Sequence, residues 1–287
     1  MLTNQTTSRS SSDDPHMKEK TMKRLHSRWM GVVLGGVLAL LPLAAGAASA
    51  TLQADVLSAY VWRGQVYNDE LVVQPSLTAE TDFGLSFNVW GNFNTTDRFS
   101  PETEQEFSEV DLNVAYSRKV SFVTLGIGCG EYLFMHQVGF DEAQSNAVPV
   151  AGTRDVYISA ALEDVILAPT LAVYYDFDEV DGFYASLGIS HHFGLTTELG
   201  LDLSASIGAA DAEYNNAYFG INEDALNDGN VKAAISYALT ESFNLSAYVQ
   251  YTKLLDSDIE DAADAEDSGY FNDGDIVSGG ASIAYSF

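Results

Sequence analysis

From Thr51 to Phe287 the chain repeats one pattern, apolar side chains at every second residue with polar ones between. The first row is Leu52, Ala54, Val56, Tyr60 and Trp62, with Gln53 and Asp55 at intervening positions. Later rows include Val110, Leu112, Val114 and Tyr116, then Leu199, Leu201, Leu203, Ala205 and Ile207, and finally Val277, Ala281, Ile283, Tyr285 and Phe287. Successive side chains of a strand point to opposite faces, so these rows predict strands with one apolar and one wet face. Twelve such segments occur, and no long stretch carries a 3.6-residue stripe. Each has about the ten residues that a tilted strand needs to cross a bilayer.

A soluble β-sandwich also alternates, so the connections must separate the two architectures. Tight links at Thr81 to Gly84, Arg118 to Ser121, Phe193 to Thr197 and Leu239 to Ser242 trade places with long ones. The long ones run from Asn94 to Glu106, Glu131 to Gly152, Ala210 to Leu226 and Leu254 to Asp275. Short periplasmic turns and long external loops give this rhythm in an outer-membrane barrel. Two links fit it less well: Glu163 to Ala168 is long for a turn, and Asp178 to Gly182 is short for an external loop. Aromatic rings prefer the two membrane interfaces. Tyr116, Tyr237, Tyr285 and Phe287 fall at periplasmic strand ends and Tyr60 and Trp62 at an outer end, which predicts two girdles.

The first fifty residues follow a different rule. Lys18, Lys20, Lys23, Arg24 and Arg28 precede an apolar run that is broken by Pro42 and ends in Ala48-Ser49-Ala50. A basic segment, a short apolar core and small residues at a cleavage point describe a signal peptide. The run falls short of the ~20 apolar residues of a spanning helix. Residues 1–50 are therefore read as an N-terminal extension and signal peptide, the polar stretch from Met1 to Thr21 being unusual for one and a start at Met17 or Met22 giving an ordinary one, and residues 51–287 as one barrel. Removing residues 1–50 takes away six basic and three acidic residues and leaves 7 basic against 38 acidic, near −31. Such a charge excludes nucleic acid as a natural partner. The single cysteine, Cys129, forms no internal disulfide, and no Cys/His metal site is available. The terminal Ser282-Ile283-Ala284-Tyr285-Ser286-Phe287 resembles the last strand of outer-membrane proteins, whose final aromatic residue is read by the barrel-insertion machinery.

The stretch Ser58-Ala59-Tyr60-Val61-Trp62-Arg63-Gly64-Gln65, followed by Val73-Gln74-Pro75-Ser76, Val89-Trp90-Gly91-Asn92 and Glu109-Val110-Asp111-Leu112, resembles the opening of TorF-family porins. The similarity covers roughly the first quarter of the chain. It implies an outer-membrane barrel and assigns no catalytic residue.

On the wet faces, Asp55, Glu80, Glu109, Asp111, Asp155, Asp176, Glu198 and Asp202 stand against Arg63 and Lys232. Carboxylates in a confined polar channel concentrate cations. The same groups could instead pair with the few cations and with inward Trp90, Tyr157, Tyr174, Tyr184 and Tyr248 to plug a narrow barrel. Both alternatives stay open at this point. The acidic run from Asp256 to Asp267 has the oxygen ligands calcium takes but not the spacing of an EF-hand, and reads as a solvated loop. His136, His191 and His192 are accompanied by no Ser-centred or acid-dyad motif, and His192, facing the lumen beside Ser190, reads with His191 as an interfacial pair at a strand end. Gly126, Gly128 and Gly130 point inward on one strand, where they suit close backbone approach.

The sequence thus predicts an all-β, antiparallel outer-membrane barrel of about twelve strands without enzymatic activity, cofactor or metal. Its partners are membrane lipid, lipopolysaccharide, the insertion machinery and small solutes. Its function is either a passive, cation-preferring channel or a structural or adhesive barrel with a closed lumen.

Overall fold

The computed structural model describes residues 49–96, 105–135, 138–141, 146–264 and 274–287. The basic segment, the apolar run before Ala48 and His136 lie outside the described residues, as does part of the acidic run near Asp267. In chain order the strands are β1 (Ser49–Leu57), β2 (Tyr60–Trp62), β3 (Gln65–Asn68), β4 (Val72–Glu80), β5 (Leu85–Asn94), β6 (Phe107–Val120), β7 (Val123–Phe134) and β8 (Val138–Asp141). They continue with β9 (Asn146–Pro149), β10 (Thr153–Ala161), β11 (Thr170–Asp176), β12 (Gly182–Gly194), β13 (Leu199–Ala210), β14 (Ala225–Ala238), β15 (Phe243–Leu254) and β16 (Asp275–Ser286). Two helices lie between strands, α1 (Ala212–Phe219) and α2 (Ser257–Asp264).

Twelve of these strands form a closed antiparallel barrel in the order β1-β16-β15-β14-β13-β12-β11-β10-β7-β6-β5-β4. Closure is made by β1, which pairs with β4 on one side and β16 on the other, as in Leu52 opposite both Leu77 and Tyr285. Ala50 and Phe287 exchange both backbone hydrogen bonds, at 3.0 and 2.9 Å, so no edge is left where the chain ends meet. Ser49 and Ala50 of the small-residue motif belong to β1.

The alternation sorts side chains as expected, with the apolar set outside. Leu52, Leu125, Ile127, Ile158, Leu187, Val231, Val249 and Val277 are all exposed on the barrel wall. Cys129, in register with Leu125 and Ile127, is exposed there too. Hydrocarbon on the surface and amides and carboxylates within invert the arrangement of a soluble protein, and lipid is the solvent that matches such a wall. Among the described residues, no helix is long and apolar enough to cross a membrane.

One barrel end carries the turns and the other the longer connections, except that the turn-end link between β10 and β11 (162–169) is longer than the loop-end link between β11 and β12 (177–181). At the turn end Phe243, Tyr285 and Phe287 touch in sequence, with ring centroids 4.7 and 5.7 Å apart. At the loop end Tyr175 stacks on Phe183 at 4.5 Å and Phe93 meets Phe107 at 5.5 Å. Tyr237 is exposed and Tyr116 half-buried near the turns.

Tyr60 and Trp62 do not join the loop-end girdle. The expectation carried β1's parity through Ser58, but β1 ends at Leu57, where Ser58 donates its amide to the Gly279 carbonyl. The chain then leaves the wall, and β2 and β3 form a separate hairpin. Its rings find aromatic partners instead of lipid: Tyr60 is only 8% exposed and packs on Tyr67 and Trp90.

The long connections also hold structure that the period-two rule could not reveal. Helix α1 is capped by Asp211, whose carboxylate accepts from the Tyr214 amide at 2.9 Å, and ends at Gly220 with φ +72°. Helix α2 packs Ile259 and Ala263 against Leu254 of β15 and Phe219 of α1. The link between β7 and β10 contains the β8–β9 hairpin.

Candidate functional site

The hairpin β2–β3 turns through two residues only, because Trp62 pairs directly with Gln65. Arg63 (φ +48°) and Gly64 (φ +82°) both take the left-handed conformation, the requirement of a two-residue turn whose twist matches its strands. Glycine meets this freely, whereas arginine does not, so the first position carries backbone strain. A Cβ on Gly64 would lie 2.8 Å from side-chain atoms of Asp228 and Leu254, so the turn is pressed against β14 and β15.

What holds Arg63 there is a cage. Its guanidinium lies 4.3 Å from the Trp62 ring centroid, 4.2 Å from Tyr174 and 4.7 Å from Tyr184, and donates to Asp155 Oδ2 at 3.2 Å. A planar, weakly hydrated cation suits stacking and ion pairing at once. Tyr132 donates to the same Asp155 oxygen at 2.9 Å. A second fastening joins hairpin to wall, where the Tyr60 hydroxyl donates to Glu109 Oε2 at 3.0 Å. Burial, then the negative charges of Glu109 and Asp111, push the Tyr60 phenol far above its ordinary pKa, so it stays a donor.

Around the hairpin the loop half of the lumen is filled by hydrogen-bonded polar side chains. Asn68 donates to Asn94 at 3.0 Å, Gln74 to Asn92 at 3.0 Å, and Asn92 to both Asn94 and Ser108. Thr153 donates to Asp176, Tyr184 to Asp228 at 2.8 Å, and Asn227 to Asn215 of α1 at 2.6 Å. Asn68, Asn92, Asn94, Asp155, Asn215, Asn227 and Asp228 are all buried.

The turn half is lined by small residues and holds water-sized space. One cavity of about 710 Å³ extends from Arg63 and Asp155 towards Thr170, Ser190 and Ser204. A second of about 470 Å³ extends from Tyr60 and Trp90 towards Gln53, Ser246 and Ser282. Val61, Trp62, Asp111, Lys232 and Gln250 line both, so the hairpin tip forms their common boundary.

The residues expected in the lumen divide accordingly. Asp55, Arg63, Asp111, Asp155 and Lys232 line the cavities. Asp55 accepts from Gln53 and Ser282, and the Lys232 ammonium sits 4.1 Å over the Tyr248 ring. Glu109 and Asp176 are buried in the filled half instead. Glu80 is exposed at the turn-end terminus of β4, Asp202 is held by His192 at 2.8 Å, and Glu198 lies in the β12–β13 turn bonded to Thr196 and Thr197. His191 packs on Phe193 at 4.5 Å.

Sequence reasoning missed Asp228, Tyr132 and Tyr214. Asp228 shares the parity of Asn230 and Lys232 and would follow from extending that row two residues towards the loop, beyond a bulge between Ile207 and Ala209. Tyr132 continues the inward row of Gly126, Gly128 and Gly130, whose missing side chains leave room for Tyr157 and Ser159. Tyr214, whose ring packs on Tyr184 of the cage at 5.6 Å, arrives on α1, for which Asp211 and Gly220 were the available boundary signals.

Among solved structures, the chain is similar to the NanC porin at 10% identity, covering 82% of this chain and 98% of that chain with a TM-score of 0.46. It is similar to the KdgM porin at 10% identity, over 83% and 99% with a TM-score of 0.46. Similarity to OmpT of Vibrio cholerae is 7% in identity, over 83% and 96%, with a TM-score of 0.40. No curated protein matches the sequence. The family model that matches is not that of the TorF porins which the opening strands resemble. It is the model of MipA, MltA-interacting protein, and it matches residues 80–287. With well over half of its length covered by that match, the chain belongs to the MipA family.

Proposed function

We propose that the protein is an outer-membrane channel of narrow bore, shut at its loop end by hairpin β2–β3 and passing small hydrophilic solutes with a preference for cations. The apolar wall and the division into short turns and long loops support a place in the outer membrane, turns towards the periplasm. The observation that carries the channel reading is the pair of polar cavities meeting at the hairpin tip. Displacing one supersecondary unit would join them to the outside. The lining supports the cation preference: Asp55, Asp111, Asp155 and Asp228 face Arg63 and Lys232, and Arg63 is already neutralised by Asp155.

Planar-bilayer recording tests this with the refolded protein and a variant whose residues 59–70 are replaced by a short Gly/Ser linker. The expected result is rare, small openings for the intact chain and frequent, larger, potassium-favouring steps for the variant. Silence from both would reject a channel.

A second reading is favoured by the extent of the buried polar layer, from Asn68 to Thr252. In it the lumen stays closed and the barrel is a platform for a protein partner, in keeping with a family named for an MltA interaction. Silence from both proteins in the recordings is its expected outcome.

A further inference from the structure

The filled half of the lumen holds more negative than positive charge. Glu109 and Asp176 are buried within it, Asp111, Asp155 and Asp228 are buried where it borders the cavities, and Arg63, its side chain 10% exposed, is the cation among them. Four of these carboxylates have donors: Tyr60 for Glu109, Arg63 and Tyr132 for Asp155, Thr153 for Asp176, Tyr184 and Asn230 for Asp228. Asp111 differs. Its Oδ1 is the one carboxylate oxygen among the described residues that is buried with no hydrogen-bond partner. No lysine, arginine or histidine of the described residues forms an ion pair with Glu109 or Asp111.

These two side chains project from β6 in alternate register to the same side, and their carboxyl groups lie within hydrogen-bond reach of each other. Two ionised carboxylates cannot make that contact alone, because like charges so close and desolvated repel strongly. Something positive must sit between them. A shared proton would satisfy one oxygen of each group and leave Asp111 Oδ1 without a partner, at the usual cost of a buried unsatisfied acceptor. A metal ion draws ligands from both carboxylates and can take Oδ1 as well.

We propose that Glu109 and Asp111, with the Tyr60 hydroxyl alongside, form an intraluminal site for a hard divalent cation of the calcium class. Two carboxylates neutralise such an ion, and neutral oxygens complete its shell. Asp111 lines both cavities, which supplies an entry path from the turn end. The site rests on the cation-accepting lumen proposed above. It also couples occupancy to the hairpin, since Tyr60 is fastened to one of the two carboxylates.

Terbium, a luminescent stand-in for calcium, provides a test that reports place as well as binding. Trp90 is paired across the sheet with Asp111 and Trp62 lines the same two cavities, so emission excited through tryptophan and reduced in Trp90→Phe places the ion near the Trp90–Asp111 pair. Full-length protein refolded in detergent is titrated with terbium and then with calcium as competitor. The expected result is sensitised emission that calcium displaces, falling at least ten-fold in Asp111→Asn and in part in Trp90→Phe, where Trp62 remains. It should persist in the Asp256→Asn/Asp258→Asn variant, which disarms the acidic trio of Glu223, Asp256 and Asp258 among the loops. Equal emission from Asp111→Asn and wild type, or none from wild type, would overturn the site and leave the pair holding a proton only. Folding of each variant is checked by its heat-modifiable mobility, and Glu109→Gln replaces Asp111→Asn should the latter not fold. Conductance measured in calcium-free potassium chloride is independent of this outcome, so loss of the site and loss of the channel are separately visible.

Discussion

Arg63 is the residue on which the lumen turns. It pays conformational strain at φ +48° to place a guanidinium among Trp62, Tyr174 and Tyr184 with Asp155 in reach. Each part of that environment selects arginine rather than a generic cation. Lysine would keep the charge and lose the planar stacking, worth about 0.5–2 kcal/mol per desolvated aromatic face. Alanine would leave Asp155 buried without its cation, at about 3–5 kcal/mol. In single-channel recordings Arg63→Lys should therefore raise open probability by about ten-fold, the equivalent of roughly 1.4 kcal/mol, and Arg63→Ala should raise it further. Indistinguishable gating of all three proteins would show that the cage does not hold the hairpin shut.

At the scale of elements, the hairpin is a local solution to a steric demand. A two-residue turn needs left-handed backbone at both positions, and Gly64 is additionally flanked by Asp228 and Leu254. Gly64→Ala should thus loosen the hairpin without harming the barrel. Its expected signature is faster proteolysis between Ser58 and Leu71 in detergent, with unheated electrophoretic mobility unchanged. Protection equal to that of the wild type would mean that Asp228 and Leu254 relax to admit the methyl group. Helices α1 and α2 obey another rule. Each has eight residues, too short to persist alone in water, and each is held by packing on Leu254 or on the β12–β13 end. Alternation along the strands carries no trace of them, although Asp211 and Gly220 mark the ends of α1.

For the whole molecule, the closed ladder and the inverted surface have measurable consequences. A barrel without edges should resist unfolding in mild detergent, so unheated samples are expected to migrate faster than boiled ones, and equal mobility would contradict closure. Where current flows, the carboxylate lining should favour potassium over chloride. That preference should weaken from 0.1 M to 1 M salt as the Debye length falls from about 10 Å to about 3 Å. Anion preference at low salt would place control with Lys232.

The alternation after Thr51 determined the strands, their apolar outer face and the rhythm of turns and loops, because period-two geometry is local and a bilayer punishes any lapse in it. It also determined that Asp55, Glu109, Asp111 and Lys232 face inward, since parity alone decides that. The tertiary structure decided what crosses the lumen. Whether Tyr60 and Trp62 continue a strand or fold inward depends on partners far along the chain, on Trp90, Glu109, Asp155 and Tyr174. No local pattern encodes them, because the energy that draws the hairpin inside arises only once the barrel has closed around it.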